Sequence, residues 1–365
     1  MPTSWRWFFD DAVAPWVKRT YIPDERHREK PFSREDVRFF SKGVRELSEA
    51  FSGHFTKPLV RDYFTHSRFR SSYLLYFFPL QAAKFAHLFS IHGGTLQAIA
   101  KKTPEKIRIL DLGAGPGTAS IAFLLSLMDL RTPNGERLPL PPIEIEWWDL
   151  SQEIMKDGKV LVEILSTRFP NLRGKVTLLA KKGTWQDAIR ANAGKPHTIS
   201  FFGHVLNEAT QGEIMAQATR IKELAVTSQF GALLVEPAEK KSSHALSLLR
   251  DLFVDEDPVA IVGPCLHSGR CPLMSGKDWC HFSDPLEIPG QWFREFSIAL
   301  SNEREWIKYS YLWIKARPKE VAKSKKKENL LLLTDSLLPR SRQPQTGVAP
   351  YLACQPDHPL IIELP

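Results

Sequence analysis

The sequence is short of cysteine, with four in 365 residues, and it contains neither an internal repeat nor a long unbroken apolar run. Four thiols are too few for a disulfide scaffold. The most apolar stretch, SSYLLYFFPLQAAKFAHLF, is interrupted by Pro79, Gln81, Lys84 and His87. It falls short of the ~20 apolar residues a spanning helix needs, so no secretory or membrane segment is expected. Acids are present where an organelle transit peptide would lack them. Asp10, Asp11, Asp24, Glu25 and Glu29 fall in the first thirty residues, which points to a bacterial-type cytoplasm. What is there is 43% hydrophobic residues, enough for a core, and a formal charge of +8. That excess favours a polyanionic partner, RNA first.

The stretch KIRILDLGAGPGTAS, residues 106–120, joins three signals. Ile107, Ile109, Leu110 and Leu112 make the apolar run of an interior parallel strand. Gly113, Gly115 and Gly117, alternating with Ala114 and Pro116, allow a sharp turn with few Cβ atoms in the way of a ligand. From Thr118 the chain reads as a helix whose N-terminus offers free N–H groups above the strand end. The order Asp-x-Gly-x-Gly-x-Gly, with Asp111 closing the strand, departs from the Gly-x-Gly-x-x-Gly of dinucleotide folds. S-Adenosylmethionine has a cationic sulfonium and amine and no pyrophosphate, so a carboxylate near the turn suits it. The motif resembles the nucleotide-binding loop of class I methyltransferases; a glycine-rich turn without a ligand is the alternative.

Alternating strands and helices over residues 104–318 predict an α/β domain with a mostly parallel sheet. Its second strand, Ile143 to Trp148, ends at Asp149, an acid positioned for the cofactor's two ribose hydroxyls or for capping the next helix. The third strand, Lys175 to Ala180, leads to Thr184, where an adenine-side contact is expected. The fourth, Thr198 to Phe202, opens into His204, Asn207 and Glu208, weak candidates for catalysis that serve equally as capping and packing residues. No Asn-Pro-Pro-Tyr type motif is present. A fifth strand ends at Glu236, a sixth spans Val259 to Val262, and Phe293 to Leu300 and Trp306 to Ala316 read as two aromatic-rich antiparallel strands.

Residues 1–103 read as an N-terminal helical region, with Ser33 and Asp36 as a capping box. Arginines and aromatics interleave from Arg61 to Tyr73, as on an RNA-contacting surface or at the border of a buried helix face. Residues 319–365 form a basic linker, with lysines from Lys319 to Lys327, and a small β extension.

Cys265, Cys271 and Cys280 cluster in an insertion over residues 263–283. The spacing lacks the close pair of a structural zinc site, and Pro272 follows Cys271 as a proline follows one ferredoxin ligand, so a [4Fe-4S] cluster is favoured. Cys354, the only other thiol, completes the set by elimination. Zinc held by three cysteines with His267 or His281 stays open. Pro264-Cys265 also has the form of a cytosine-5 methyltransferase nucleophile, but it follows the sixth strand and not the fourth.

Taken together, RFRSSYLLYFFPLQAAKFAHLF, ILDLGAGPGTAS, FFGHVLNEA, LLVEP, GPCLHSGRCPLMSGKDWCHFS and SNEREWIKYSYLWIKA resemble the methyltransferase-like proteins associated with the mitochondrial small ribosomal subunit and their bacterial relatives. The resemblance implies a class I methyltransferase-like, Rossmann-like fold. It also implies Cys265, Cys271, Cys280 and Cys354 as ligands of a [4Fe-4S] cluster, and a role with the small subunit and its rRNA in assembly and translation. Away from the ribosome a monomer is expected, in the bacterial cytoplasm or, alternatively, the mitochondrial matrix. Ala238 to Ser243 depart from the family's Gly-Thr-Pro-x-Gly-Phe type turn, which leaves two classes of function: an assembly factor that uses the fold as architecture, or an active rRNA methyltransferase.

Overall fold

The apolar run after Lys106 forms a strand, β1 (Ile107–Leu112), whose Ile107, Ile109, Leu110 and Leu112 are all buried. The computed structural model describes residues 2–51, 63–102, 105–254, 258–265, 269–275, 278–287, 289–317, 332–334, 350–354 and 359–363. With β2 (Ile143–Asp149), β3 (Val176–Lys182), β4 (Ile199–Gly203), β5 (Ala232–Glu236), β6 (Val259–Gly263), β7 (Phe282–Pro285) and β8 (Trp306–Ala316), β1 belongs to a mostly parallel mixed sheet of eight strands. Helices flank it, and the fold is Rossmann-like. By internal contacts the chain divides into Met1–Thr184 with Pro285–Ile307, and Trp185–Asp284 with Lys308–Pro365.

In the first unit the strands run β3-β2-β1, all parallel, with Ile107 opposite Ile143 and Ile143 opposite Val176. Parallel strands need crossover helices. Thr118–Met128 and Gln152–Arg168 provide them. Thr118–Met128 is buried almost all round because the N-terminal helix Phe78–Ile91 packs on it. One helical run, Ser67–Ile91, is long and apolar enough by composition to cross a membrane, yet 72% of its most apolar window is buried inside the protein, as in a core helix.

Two sequence readings change, one in the N-terminal region and one at residues 293–300. Arg61 lies outside the described residues, while Arg70, read as part of an RNA-contacting surface, is spent internally. Its Nε donates to the Tyr21 hydroxyl and to Asp157 Oδ2, both at 3.1 Å, and its Nη1 to the carbonyls of Phe64 and Thr65. Arg68 pairs with Glu46. The arginines border a buried face, as amphipathic stems do. Phe293 to Leu300, read as a strand, is instead part of a helix, Gln291–Ala299, with Phe293, Phe296 and Ser297 buried at helical spacing. Asp10 secures its start by accepting the N–H groups of Gln291 (2.7 Å) and Trp292 (3.1 Å).

The predicted capping box at Ser33 and Asp36 appears only in its return half. Asp36 Oδ2 accepts the Ser33 N–H at 2.7 Å, but the Ser33 hydroxyl donates to the same oxygen rather than accepting a backbone N–H. Asp36 also receives Lys18 Nζ at 2.8 Å and faces His27 Nε2 at 2.7 Å.

In the second unit β4 and β5 are parallel, and β8 runs antiparallel between β5 and β6 with β7 beside it. Three further strands, β9 (Leu332–Thr334), β10 (Pro350–Cys354) and β11 (Pro359–Glu363), form a small antiparallel sheet in the order β11-β10-β9, the β extension that was expected. The lysine run from Lys319 to Lys327 lies outside the described residues.

Burial acts to raise the Asp36 carboxyl, but hydrogen bonds from Lys18, His27 and Ser33 outweigh it and hold the group below the ordinary carboxylate value. Its contribution is therefore present above the unfolded value and is lost as pH falls through the lowered one. Lys18→Met leaves that carboxylate buried without its main cation. Urea unfolding at neutral pH should register a loss of about 3–5 kcal/mol; a loss below about 1 kcal/mol would mean that water replaces the lysine.

Candidate functional site

The turn after β1 is shaped by its glycines. Gly113, Gly115 and Gly117 have φ of 66°, 55° and 81°, in the left-handed region that side chains avoid. A Cβ built on Gly117 would fall inside the indole of Trp147, and one on Gly158 would strike the Pro116 carbonyl, whereas the space before Gly115 is open. The turn is thus packed from behind and clear in front. The Trp148 carbonyl accepts the N–H groups of Gly113 (2.8 Å) and Ala114 (3.0 Å), and Asp149 Oδ2 accepts that of Gly115 at 2.9 Å. Asp149 Oδ1 accepts the Ser151 N–H at 2.8 Å, but the N-cap of the following helix is Ser151, so Asp149 stands two residues ahead of the capping position expected for it.

Asp111 lies beneath the turn. It is fully buried, and its Oδ2 accepts the N–H (3.1 Å) and hydroxyl (2.5 Å) of Ser120, whose Oγ also accepts Trp147 Nε1–H at 3.0 Å. Burial pushes its carboxyl up to about 7. Thr184, half-buried, follows Gly183, whose N–H donates to the Asp149 carbonyl at 3.1 Å. The sequence reading passed over Thr118, whose Oγ1 is buried without a hydrogen-bond partner at the start of the helix. It also passed over Gly158, whose signal was a glycine inside the helical stretch MKDGKV. Open space before Gly115 and the orphaned Thr118 hydroxyl fit a ligand seated on this turn.

In the second unit the candidates His204, Asn207 and Glu208 lie together just after β4. Among the described residues His204 is one of two non-glycine residues at positive φ, 56°, with its N–H on the Val235 carbonyl at 2.8 Å. The segment is held by Glu236, at the end of β5. Its Oε1 accepts the N–H groups of Val205 (3.2 Å) and Leu206 (2.8 Å), and its Oε2 that of Asn207 (3.1 Å). Burial lifts its carboxyl to about 8 against those bonds. Asn207 Oδ1 is buried with no partner, and Glu208 is exposed. Like Asp111 and Asp149, Glu236 is an acid closing an apolar strand, a signal the sequence carried without a role attached.

Cys265, Cys271 and Cys280 share one neighbourhood of this unit. Burial raises the Cys265 thiol, the Arg250 guanidinium opposes that, and Cys271 adds to it. The Tyr311 hydroxyl is likewise raised by burial, then by Cys280 and Cys265. Cys271 packs with Leu273, Met274 and Cys280. Arg250 Nη1 donates to the Gly269 carbonyl and to Asp251 Oδ1, which also accepts the Cys271 N–H at 2.8 Å. His281 is buried, with Nδ1 3.0 Å from the Trp279 carbonyl and Nε2 without a partner. Among the described residues no three His, Cys, Asp or Glu side chains form a metal-holding group. The Cys354 side chain and His267 lie outside the described residues.

A family model described as mitochondrial small ribosomal subunit Rsm22 matches residues 145–342, more than half of the chain. The chain belongs to the Rsm22 family. Among solved structures it is similar to MnmC2 from Aquifex aeolicus (15% identity, 46% of this chain and 51% of that one, TM-score 0.29). It is also similar to an SAM-dependent methyltransferase from Agrobacterium tumefaciens (14% identity, 44% and 48%, TM-score 0.29). The chain spans about half the length of these two structures. No curated protein matches it.

The raised carboxyls of Asp111 and Glu236 make the native state bind protons more tightly than the unfolded chain. Their contribution is complete below the ordinary carboxylate range and is lost as pH rises through about 7 and about 8. Thermal melts from pH 6 to 9 should therefore show declining stability, and Glu236→Gln should flatten the decline. An unchanged slope in the variant would assign the titration to another group.

Proposed function

We propose that this Rsm22-family protein binds S-adenosylmethionine on the glycine turn and acts as a methyltransferase-like factor of the small ribosomal subunit. The observation that carries the cofactor reading is the Asp149 carboxylate fastened to Gly115 N–H at a left-handed turn with open space before it. Gly113, Ala114, Gly115 and Gly117 would receive the ligand along the turn. Asp149 would take the ribose hydroxyls and Thr184 the adenine side. Asp111, spent on Ser120, would keep the turn in place from below. The bound cofactor would supply an electrophilic methyl group. The family description and the charge of +8 support the small subunit and its rRNA as partner. That description also supports the mitochondrial matrix over the bacterial cytoplasm.

Active rRNA methylation is a second reading, favoured by one observation: Asn207 Oδ1 is buried without a partner in the segment that Glu236 holds. For the cysteine loop we propose a [4Fe-4S] cluster on Cys265, Cys271, Cys280 and Cys354, with zinc on three cysteines and His267 or His281 as the alternative. The shared neighbourhood of the three thiols supports it.

Calorimetry should detect S-adenosylmethionine binding that Gly115→Arg abolishes while circular dichroism stays unchanged, and Asp149→Ala should weaken it at least tenfold. If the unaltered chain does not bind, the turn is architectural. Co-sedimentation with mitochondrial small subunits tests the partner separately.

Anaerobically purified protein should contain iron and acid-labile sulfide in equal amounts and lose both in Cys280→Ser. Zinc in place of iron would defeat the cluster.

A further inference from the structure

β3 stands at the end of the strand order and pairs with β2 along its whole length, Ile143 opposite Val176 through Asp149 opposite Lys182. No other strand among the described residues pairs with it, so its outer row of N–H and C=O groups is a template for one more strand. Its usual guards are weak here. Lys181 is drawn away to Glu146 at 3.0 Å and lies over the Trp148 ring, and Leu179 is 49% exposed. A groove of about 270 Å³ runs between β3 and the helix Gln152–Arg168, with Val162, Val176 and Leu178 as apolar lining and Lys159 and Arg173 as cations. Ser166, also in the lining, has a buried hydroxyl with no hydrogen-bond partner.

We propose that this edge and groove receive an extended acidic segment of a partner protein as an added strand. Main-chain pairing with β3 gives affinity, and alternate apolar side chains of the segment enter the groove over Val176 and Leu178, which share one face. Lys159, Arg173 and the exposed Lys182 outnumber Glu163 in the same lining and set the sign of the partner. A second copy is a poor occupant. An antiparallel β3 pair would bring the Arg173 and Lys175 end of one strand against the Lys181 and Lys182 end of the other, and like charges placed opposite destabilise.

Fluorescence anisotropy on the full chain, with a labelled, blocked Asp-Val-Glu-Ile-Asp-Val-Glu peptide as probe, tests this. Saturable binding is expected. Alternate N-methylation of the peptide, which removes strand donors and keeps the side chains, should cost at least tenfold, and so should Arg173→Glu or Lys159→Glu in protein whose melting temperature is unchanged. A peptide with lysine in place of each acid should not bind. No saturation up to millimolar peptide, equal binding of the N-methylated peptide, or a dimer in ultracentrifugation that Leu179→Lys dissolves would each overturn the proposal.

Discussion

The indole of Trp147 occupies the space that any side chain on residue 117 would need. That exclusion, together with the Pro116 carbonyl pressed against Gly158, forces the backbone after β1 into one path and leaves only glycine able to follow it. The same indole is fixed in turn, because its Nε1–H donates to the Ser120 hydroxyl, which donates to Asp111. A strand, a turn and a helix are thus tied through one buried chain of hydrogen bonds. Each link is satisfied by its neighbour, so losing one leaves a buried polar group unpaired, at about 1–3 kcal/mol. Asp149 closes the arrangement from the solvent side.

Acids at strand ends recur as structural anchors in both units. Burying a carboxyl is costly unless backbone donors compensate. Glu236 collects three such donors, and Asp111 collects one, the Ser120 N–H, together with the hydroxyl of the same serine. Three consecutive N–H groups bound to one side chain hold residues 205–207 in place, directly after His204 with its left-handed backbone. A left-handed residue other than glycine persists only where its surroundings over-determine it. The Val235 carbonyl on the His204 N–H and Glu236 on the next three residues are those surroundings.

The parts legible in the sequence were those whose cause is local. Four residues of β1, three glycines and a helix start sit within fifteen positions, and each obeys a short-range steric rule. Legibility failed where a distant partner decided the outcome. Arg70 fitted an RNA-contacting surface and the border of a buried helix face equally, and Tyr21 and Asp157, 49 and 87 positions away, decide for the second. The stretch from Phe293 to Leu300 is rich in aromatics, as strands are, but its buried positions repeat at helical spacing, and Asp10, 281 positions earlier, stabilises its start. The capping box at Ser33 was half right because Asp36 is also claimed by Lys18 and His27. None of these partners leaves a mark near the residue it controls.

The cysteine loop follows the same logic with the supports separated. Arg250 is buried on the helix Lys240–Phe253, where a cation without partners would be costly, and Asp251 and the Gly269 carbonyl supply them. Asp251 also accepts the Cys271 N–H, and the guanidinium bears on Cys265, so that helix sets where both thiols lie. Cys280 hangs from a different support, its carbonyl accepting the Ser310 hydroxyl of β8 at 2.9 Å. Two thiols referenced to a helix and a third to a strand share one neighbourhood without, among the described residues, forming a metal-holding group. A bond from each to one metal centre would cross-link elements that are far apart in sequence, where a cross-link removes the most loop entropy from the unfolded chain.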